Sequence, residues 1–122
     1  MDPRRSERLA EALRTEVEEL INYELDDPRL TGIAVAVTEV LLSKDGKKAH
    51  VRLAIDASAD QQAECLKAIE NAKGYLKHQL SERVDVFRMP DLRFDADLPA
   101  ALRLKSEALL RRVRKGRPRN AD

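Results

Sequence analysis

The chain has 122 residues, with 23 basic side chains against 22 acidic ones, a net charge of +1, one Cys and no Trp. That length suits one domain with its own core, and the lone Cys65 excludes an intrachain disulfide. No apolar run approaches the ~18 residues of a membrane span, and Met1-Asp2-Pro3-Arg4-Arg5-Ser6-Glu7-Arg8 lacks the apolar stretch of a secretory signal, so a cytoplasmic, reducing setting is expected.

Leu9, Leu13, Val17, Leu20 and Ile21 recur at helical spacing and predict an amphipathic helix over residues 4–25, with Glu11, Arg14, Glu18 and Glu19 on its other side. Asp27-Pro28 stops it, because the residue before Pro avoids the helical region. Residues 33–43 read as a strand. Ile33, Val35 and Val37 share one parity, Val40 and Leu42 the other, and the switch near Thr38-Glu39 predicts a bulge. Asp45-Gly46 signals a hairpin. Residues 49–56 form a second strand with Ala49, Val51, Leu53 and Ile55 inward and His50 and Arg52 outward, the alternation of a sheet wet on one face.

Ser58 caps the next helix. Cys65, Ile69, Ala72, Leu76 and Leu80 then make one stripe that runs through Gly74. A Gly inside a helix costs about 1 kcal/mol against Ala. Gly74 therefore predicts a kink, or a close backbone approach that only Gly permits; a tolerated Gly on an exposed face, or two helices meeting at Gly74, is the plainer reading. Met89-Pro90 breaks the chain, and Leu92, Phe94 and Ala96 alternate with Asp91, Arg93, Asp95 and Asp97 in a third strand. Pro99 fits the first turn of a last helix over 99–114. Arg111, Arg112, Arg114, Lys115, Arg117 and Arg119 then put six cations into nine positions with no acid. Such a tail is a footprint for a polyanion, or a solubilising end.

Helices that cover one face of the sheet give an α+β two-layer sandwich in the order α-β-β-α-(kink)-α-β. The expected organisation is a domain over 1–98, followed by a C-terminal helix and basic tail over 99–122.

Catalytic chemistry finds no footing in these residues. The nucleotide cradles Gly-x-x-x-x-Gly-Lys and Gly-x-Gly-x-x-Gly are missing, and no Ser stands in a nucleophile context. His50, His78 and Cys65 sit on separate elements, whereas a metal needs clustered ligands, and Asp91, Asp95 and Asp97 read as a wet strand face. No enzyme, cofactor or metal is expected. Tyr23, Tyr75, Phe87 and Phe94 are too few for a sheet that stacks bases. RNA contact would be electrostatic and shape-based, with Lys47, Lys48, Arg52, Lys73, Lys77, Arg83 and Arg88 as candidates.

The element order is that of a type II KH module, but the glycines at 32, 46, 74 and 116 cannot form its Gly-x-x-Gly clamp. Ala72-Lys73-Gly74 sits where that loop would be. Arg5-Ser6-Glu7-Arg8-Leu9, Asp27-Pro28-Arg29-Leu30, Val40-Leu41-Leu42-Ser43-Lys44-Asp45 and Pro90-Asp91-Leu92-Arg93-Phe94 with Asp97 occur in the matching order. Together they resemble the ribosome-binding factor A family, a KH-like fold with an Ala-x-Gly kink in place of the loop. The resemblance spans about residues 4–110. It implies a non-catalytic, monomeric assembly factor for the small ribosomal subunit and its rRNA, active late in rRNA processing, in some members linked to growth in the cold, with an assembly GTPase as a further partner.

On that reading Arg5, Arg8, Lys44, Lys47, Lys48, Lys73 and Lys77 meet RNA phosphates, Ala72 and Gly74 shape the docking surface, and the tail from Arg111 to Arg119 adds non-specific affinity. The residues alone leave open a generic RNA-binding module and a protein-only adaptor that pairs through a sheet edge or the acidic first helix.

Overall fold

A computed structural model describes residues 2–96. The elements are α1 (Pro3–Tyr23), a 3-10 turn (Pro28–Leu30), β1 (Val35–Leu42), β2 (Lys48–Ile55), α2 (Ala59–Asn71), α3 (Lys73–Arg83) and β3 (Asp91–Asp95). The helix expected over 99–114, the basic tail and Asp97 lie outside the described residues.

The sheet order is β1-β2-β3. β1 and β2 pair antiparallel across the hairpin, and β2 and β3 pair parallel. A parallel partner needs a long crossover, which α2 and α3 supply. The register slips between Val37 and Glu39, so Thr38 is the bulged residue, and its hydroxyl donates to the Arg52 carbonyl at 3.2 Å. The bulge explains the parity switch: Val37 is buried, Glu39 is exposed, and Val40 again packs against the core.

Helices and sheet share one apolar core. Leu13, Val17, Leu20 and Ile21 of α1 meet Val35, Val51, Leu53 and Leu92 of the sheet and Ile69, Leu76 and Leu80 of the later helices, all fully buried. Cys65 is buried too, and its thiol donates to the Arg29 carbonyl at 3.3 Å. That contact ties α2 to the Pro28–Leu30 turn.

Two tie points set the direction of α1. Asn22 bonds both backbone groups of Val35, at 2.6 and 2.9 Å, and a Glu18 carboxylate oxygen accepts the Val37 N–H at 2.9 Å. One helical turn of α1 is therefore matched by two residues of β1 in the opposite sense. A helix rises about 1.5 Å per residue and a strand about 3.3 Å, so the two run antiparallel in step. Arg83 fixes α3 to α1 at the same end, bonded to Glu24 and lying 3.5 Å from Glu16.

The helical run from Ala59 divides at Ala72, two residues before Gly74. Ala72 has φ −91° and ψ 6°, ends α2 and starts α3. Gly74 lies inside α3, exposed and without positive φ, and an added Cβ would meet nothing within 4 Å. The expectation of a close backbone approach at Gly74 is thus overturned. The helix break falls on a residue that has a Cβ, and nothing inside the protein presses on the glycine.

Candidate nucleic-acid interface

The basic side chains fall into two sets. Arg14, Arg29, Arg52, Lys67, Lys73 and Arg83 each have a carboxylate within 4 Å. Arg4, Arg5, Arg8, Lys44, Lys47, Lys48, Lys77, Arg88 and Arg93 make no ion pair with any described residue. Arg83 and Arg52, both candidates on sequence grounds, belong to the committed set. Arg83 serves the α1–α3 joint, and Arg52 lies 3.8 Å from Glu39 on the neighbouring strand.

Six of the uncommitted cations stand at one end of the sheet. Going from Glu18 back to Arg8 climbs about 15 Å of helix, and going from Val37 to Leu42 climbs about 16 Å of strand. Arg4, Arg5 and Arg8 therefore share the end at which the chain turns between β1 and β2. Lys44 and Lys47 are on that turn, Lys48 opens β2 next to it, and all six are exposed. Cations at a helix start oppose the macrodipole, which favours anions there. The first turn of α1 carries no acid among its helical residues to offset them, though the Asp2 carboxylate caps it by accepting the Arg4 N–H at 3.1 Å.

The hairpin itself is braced. Gly46 adopts φ 72°, a left-handed conformation suited to glycine. The Asp45 carboxylate accepts the Lys47 N–H at 3.0 Å and the Ser43 hydroxyl at 2.7 Å, and the Ser43 oxygen accepts the Lys48 N–H at 3.0 Å. The Lys47 amide and then the Ser43 hydroxyl hold the Asp45 carboxyl below its usual range. The carboxylate therefore stays charged while it braces the turn, and the side chains of Lys44, Lys47 and Lys48 are exposed around it.

Lys73, Gly74 and Lys77 form a second surface, on the first turns of α3. Lys73 and Lys77 are one turn apart on one side of the helix, with Gly74 beside them. Lys73 is half-buried and its ammonium lies 3.2 Å from Glu70, so it is less available than Lys77. Ala72 packs against the core and cannot be a free contact residue along its whole side chain. α3 is held by α1, α2 and β3.

A family model described as "Ribosome-binding factor A" matches residues 5–110. The chain belongs to the ribosome-binding factor A family.

Ribosome-binding factor A of Solibacter usitatus is 38% identical over 122 residues, covering 98% of each chain. That of Koribacter versatilis is 35% identical over 109 residues, covering 89% of this chain and 87% of its own. The crystal structure of ribosome-binding factor A from Thermus thermophilus superposes with a TM-score of 0.64 at 31% identity, over 75% of this chain and 93% of that one. A homology model of Thermus thermophilus ribosome-binding factor A, as fitted into the cryo-EM map of its complex with 30S, gives 0.57 at 32% identity, over 69% and 86%.

The match to ribosome-binding factor A takes in both cationic surfaces except Arg4 and runs past the described residues to residue 110. Arg111, Arg112, Arg114, Lys115, Arg117 and Arg119 lie outside what the structure describes. Arg4 and Arg93 are exposed and uncommitted as well, and neither stands among the contact candidates expected from the sequence. For Arg4 the signal was present: it abuts Arg5 at a helix start. Arg93 alternates with acids along β3 and carries no such mark.

Proposed function

We propose that this chain binds the small ribosomal subunit, or its precursor, and assists late maturation of the rRNA without catalysis of its own. The observation that carries this reading is the gathering of Arg4, Arg5, Arg8, Lys44, Lys47 and Lys48, none of them paired to a described carboxylate, at one end of the sheet. Uncommitted cations on a braced hairpin can neutralise phosphates at little ordering cost. The Thermus relative fitted into a complex with 30S supplies the partner.

The finer fold reading is a type II KH-like domain over 1–98 whose Ala72-Lys73-Gly74 junction stands in for the Gly-x-x-Gly loop, with a helix and basic tail over 99–122. The observed order α-β-β-α-α-β supports it. On this reading Gly74, exposed on α3 with open space where a side chain would stand, leaves room for an RNA surface to approach the junction. Binding would favour one rRNA conformation in proportion to its differential affinity. Release falls to another factor, with an assembly GTPase as the partner the family suggests. The protein would act as a cytoplasmic monomer, with the link to growth in the cold that the family resemblance implies for some members.

Sedimentation of the purified chain with ribosomal particles, at low and moderate salt, tests the reading. Co-migration with free small subunits but not with large subunits or intact ribosomes is the expected result. Salt-sensitive spread over every RNA-containing fraction means a generic RNA binder. A chain that stays at the top at both salts is a protein adaptor or acts elsewhere.

A further inference from the structure

Phe87 is fully exposed, at 103% of its reference area, in the segment between α3 and β3. A single exposed apolar side chain needs no explanation by itself. Three facts set this one apart. Its segment is anchored on both sides, by Val84 and Val86 before it and Met89 after it, all packed in the core. The ring is therefore presented on a held loop, with Arg88 turned out beside it. The loop also leads directly into the cationic end of the sheet. The Asp91 N–H donates to the Lys47 carbonyl at 2.8 Å, and Asp91 pairs with Lys48. Phe87 stands four positions before Asp91, a reach of at most about 14 Å. Among the described residues the acids of this loop and its neighbouring turn are Asp85, Asp91 and Asp45, and Asp45 is bonded within the hairpin.

We infer that Phe87 is a stacking anchor for an unpaired nucleotide whose flanking phosphates lie on Arg88, Lys47 and Lys48. The inference rests on the RNA-binding reading above and names the kind of RNA: a single-stranded stretch, not a helix. An aromatic face with cations around it is what single-stranded nucleic acid uses, since every base has a face to stack. A protein partner would ask for a continuous apolar patch around the ring. Among the described residues the other exposed large apolar side chains, Leu41 and Tyr75, are on β1 and α3 rather than in this loop, and Phe87 has charged neighbours.

The absence of Trp makes the test direct, because Phe87→Trp introduces the one indole of the chain. Phe87→Trp and Phe87→Ala are each titrated with isolated small subunits and, separately, with a short unstructured single-stranded RNA. Thermal unfolding that coincides with wild type establishes that both variants are folded. The expected result is indole quenching by both ligands, and a loss of affinity in Phe87→Ala of roughly five- to a hundredfold with an unchanged slope of log affinity against log salt. Binding by Phe87→Ala within about twofold of wild type overturns the inference, on the stacking magnitude above. So does a blue shift of the indole on subunits without quenching, which marks burial against protein. If wild type ignores small subunits while the single strand still quenches the indole, the ribosomal reading fails and the stacking site stands. If neither ligand quenches, the stacking site fails whatever the sedimentation shows.

Discussion

Asn22 satisfies both backbone groups of Val35: its amide nitrogen donates to the carbonyl at 2.6 Å and its oxygen accepts the N–H at 2.9 Å. Val35 is on an edge strand, so no neighbouring strand could do this on that side. Asn22 is also the one buried polar side chain among the described residues, at 2% exposure. Asn22→Ala strands a buried donor and a buried acceptor, each costing about 1–3 kcal/mol. We expect a loss of about 2–4 kcal/mol, read as a lower urea midpoint with an unchanged slope.

Gly74→Ala should stabilise the chain. The site is helical and open, so the methyl group meets nothing and the unfolded chain loses freedom, a gain of about 0.4–1 kcal/mol. Gly74→Leu should fold as well as wild type. If the α3 surface docks on RNA, both variants lose affinity for small subunits while keeping or raising their melting temperature. Calorimetry beside subunit binding checks the two effects together.

Lys47→Ala with Lys48→Ala should leave stability within about 0.5 kcal/mol, as both side chains are exposed and unpaired. Their loss should weaken subunit binding and make log affinity fall less steeply with log salt, by about 0.7–0.9 for each phosphate contact removed. Arg52→Ala, which touches a committed cation, should leave that slope as it was. Binding isotherms at three salt concentrations separate the pair.

Asp27 gives a pH signature. The Arg29 guanidinium and the Arg29 N–H, both bonded to its carboxylate, lower its pKa from 3.8 to about 2. A carboxyl with a depressed folded pKa contributes stability above its unfolded value and loses it as the pH falls through the folded one. Wild type should therefore exceed Asp27→Asn in stability above about pH 4, and the gap should close as the pH drops toward about 2. Urea midpoints of the two proteins across that range provide the check.

Much of this was legible along the chain, because period 3.6 and period 2 are local signals. The apolar stripe of α1, the alternation of β2 and the parity switch at Thr38 all lie where the sequence put them. The helix break falls on Ala72, inside the expected Ala72-Lys73-Gly74 junction but two residues before the glycine that drew attention to it. Ala72 belongs to the apolar stripe, and its φ and ψ are open to any residue, so nothing marks it, while Gly74 attracts notice by its type alone. Lys73 could have been told from Lys77, since Glu70 stands one turn before it. The role of Arg83 could not: its partners Glu16 and Glu24 are far off in sequence, and only the packing of α3 on α1 brings them within reach. The exposure of Phe87 was equally hidden, because an aromatic beside Val86 and Met89 reads as part of the core until those two neighbours are seen to fill it.

Thr38 touches neither the hairpin lysines nor the arginines of α1, yet it governs how they face each other. Without it, Val37 would still oppose Leu53, Glu39 would still oppose Arg52 and Val40 would still oppose Val51. A shorter β1 would thus be an unbroken ladder with the same neighbours, only straighter, because an extra residue is what bends and over-twists a strand. The sole change would be angular: the arm that carries Lys44, Lys47 and Lys48 would swing relative to the rod that carries Arg5 and Arg8. One surplus residue in mid-strand acts as the wrist of this molecule, setting the span between two sets of charge that it never meets.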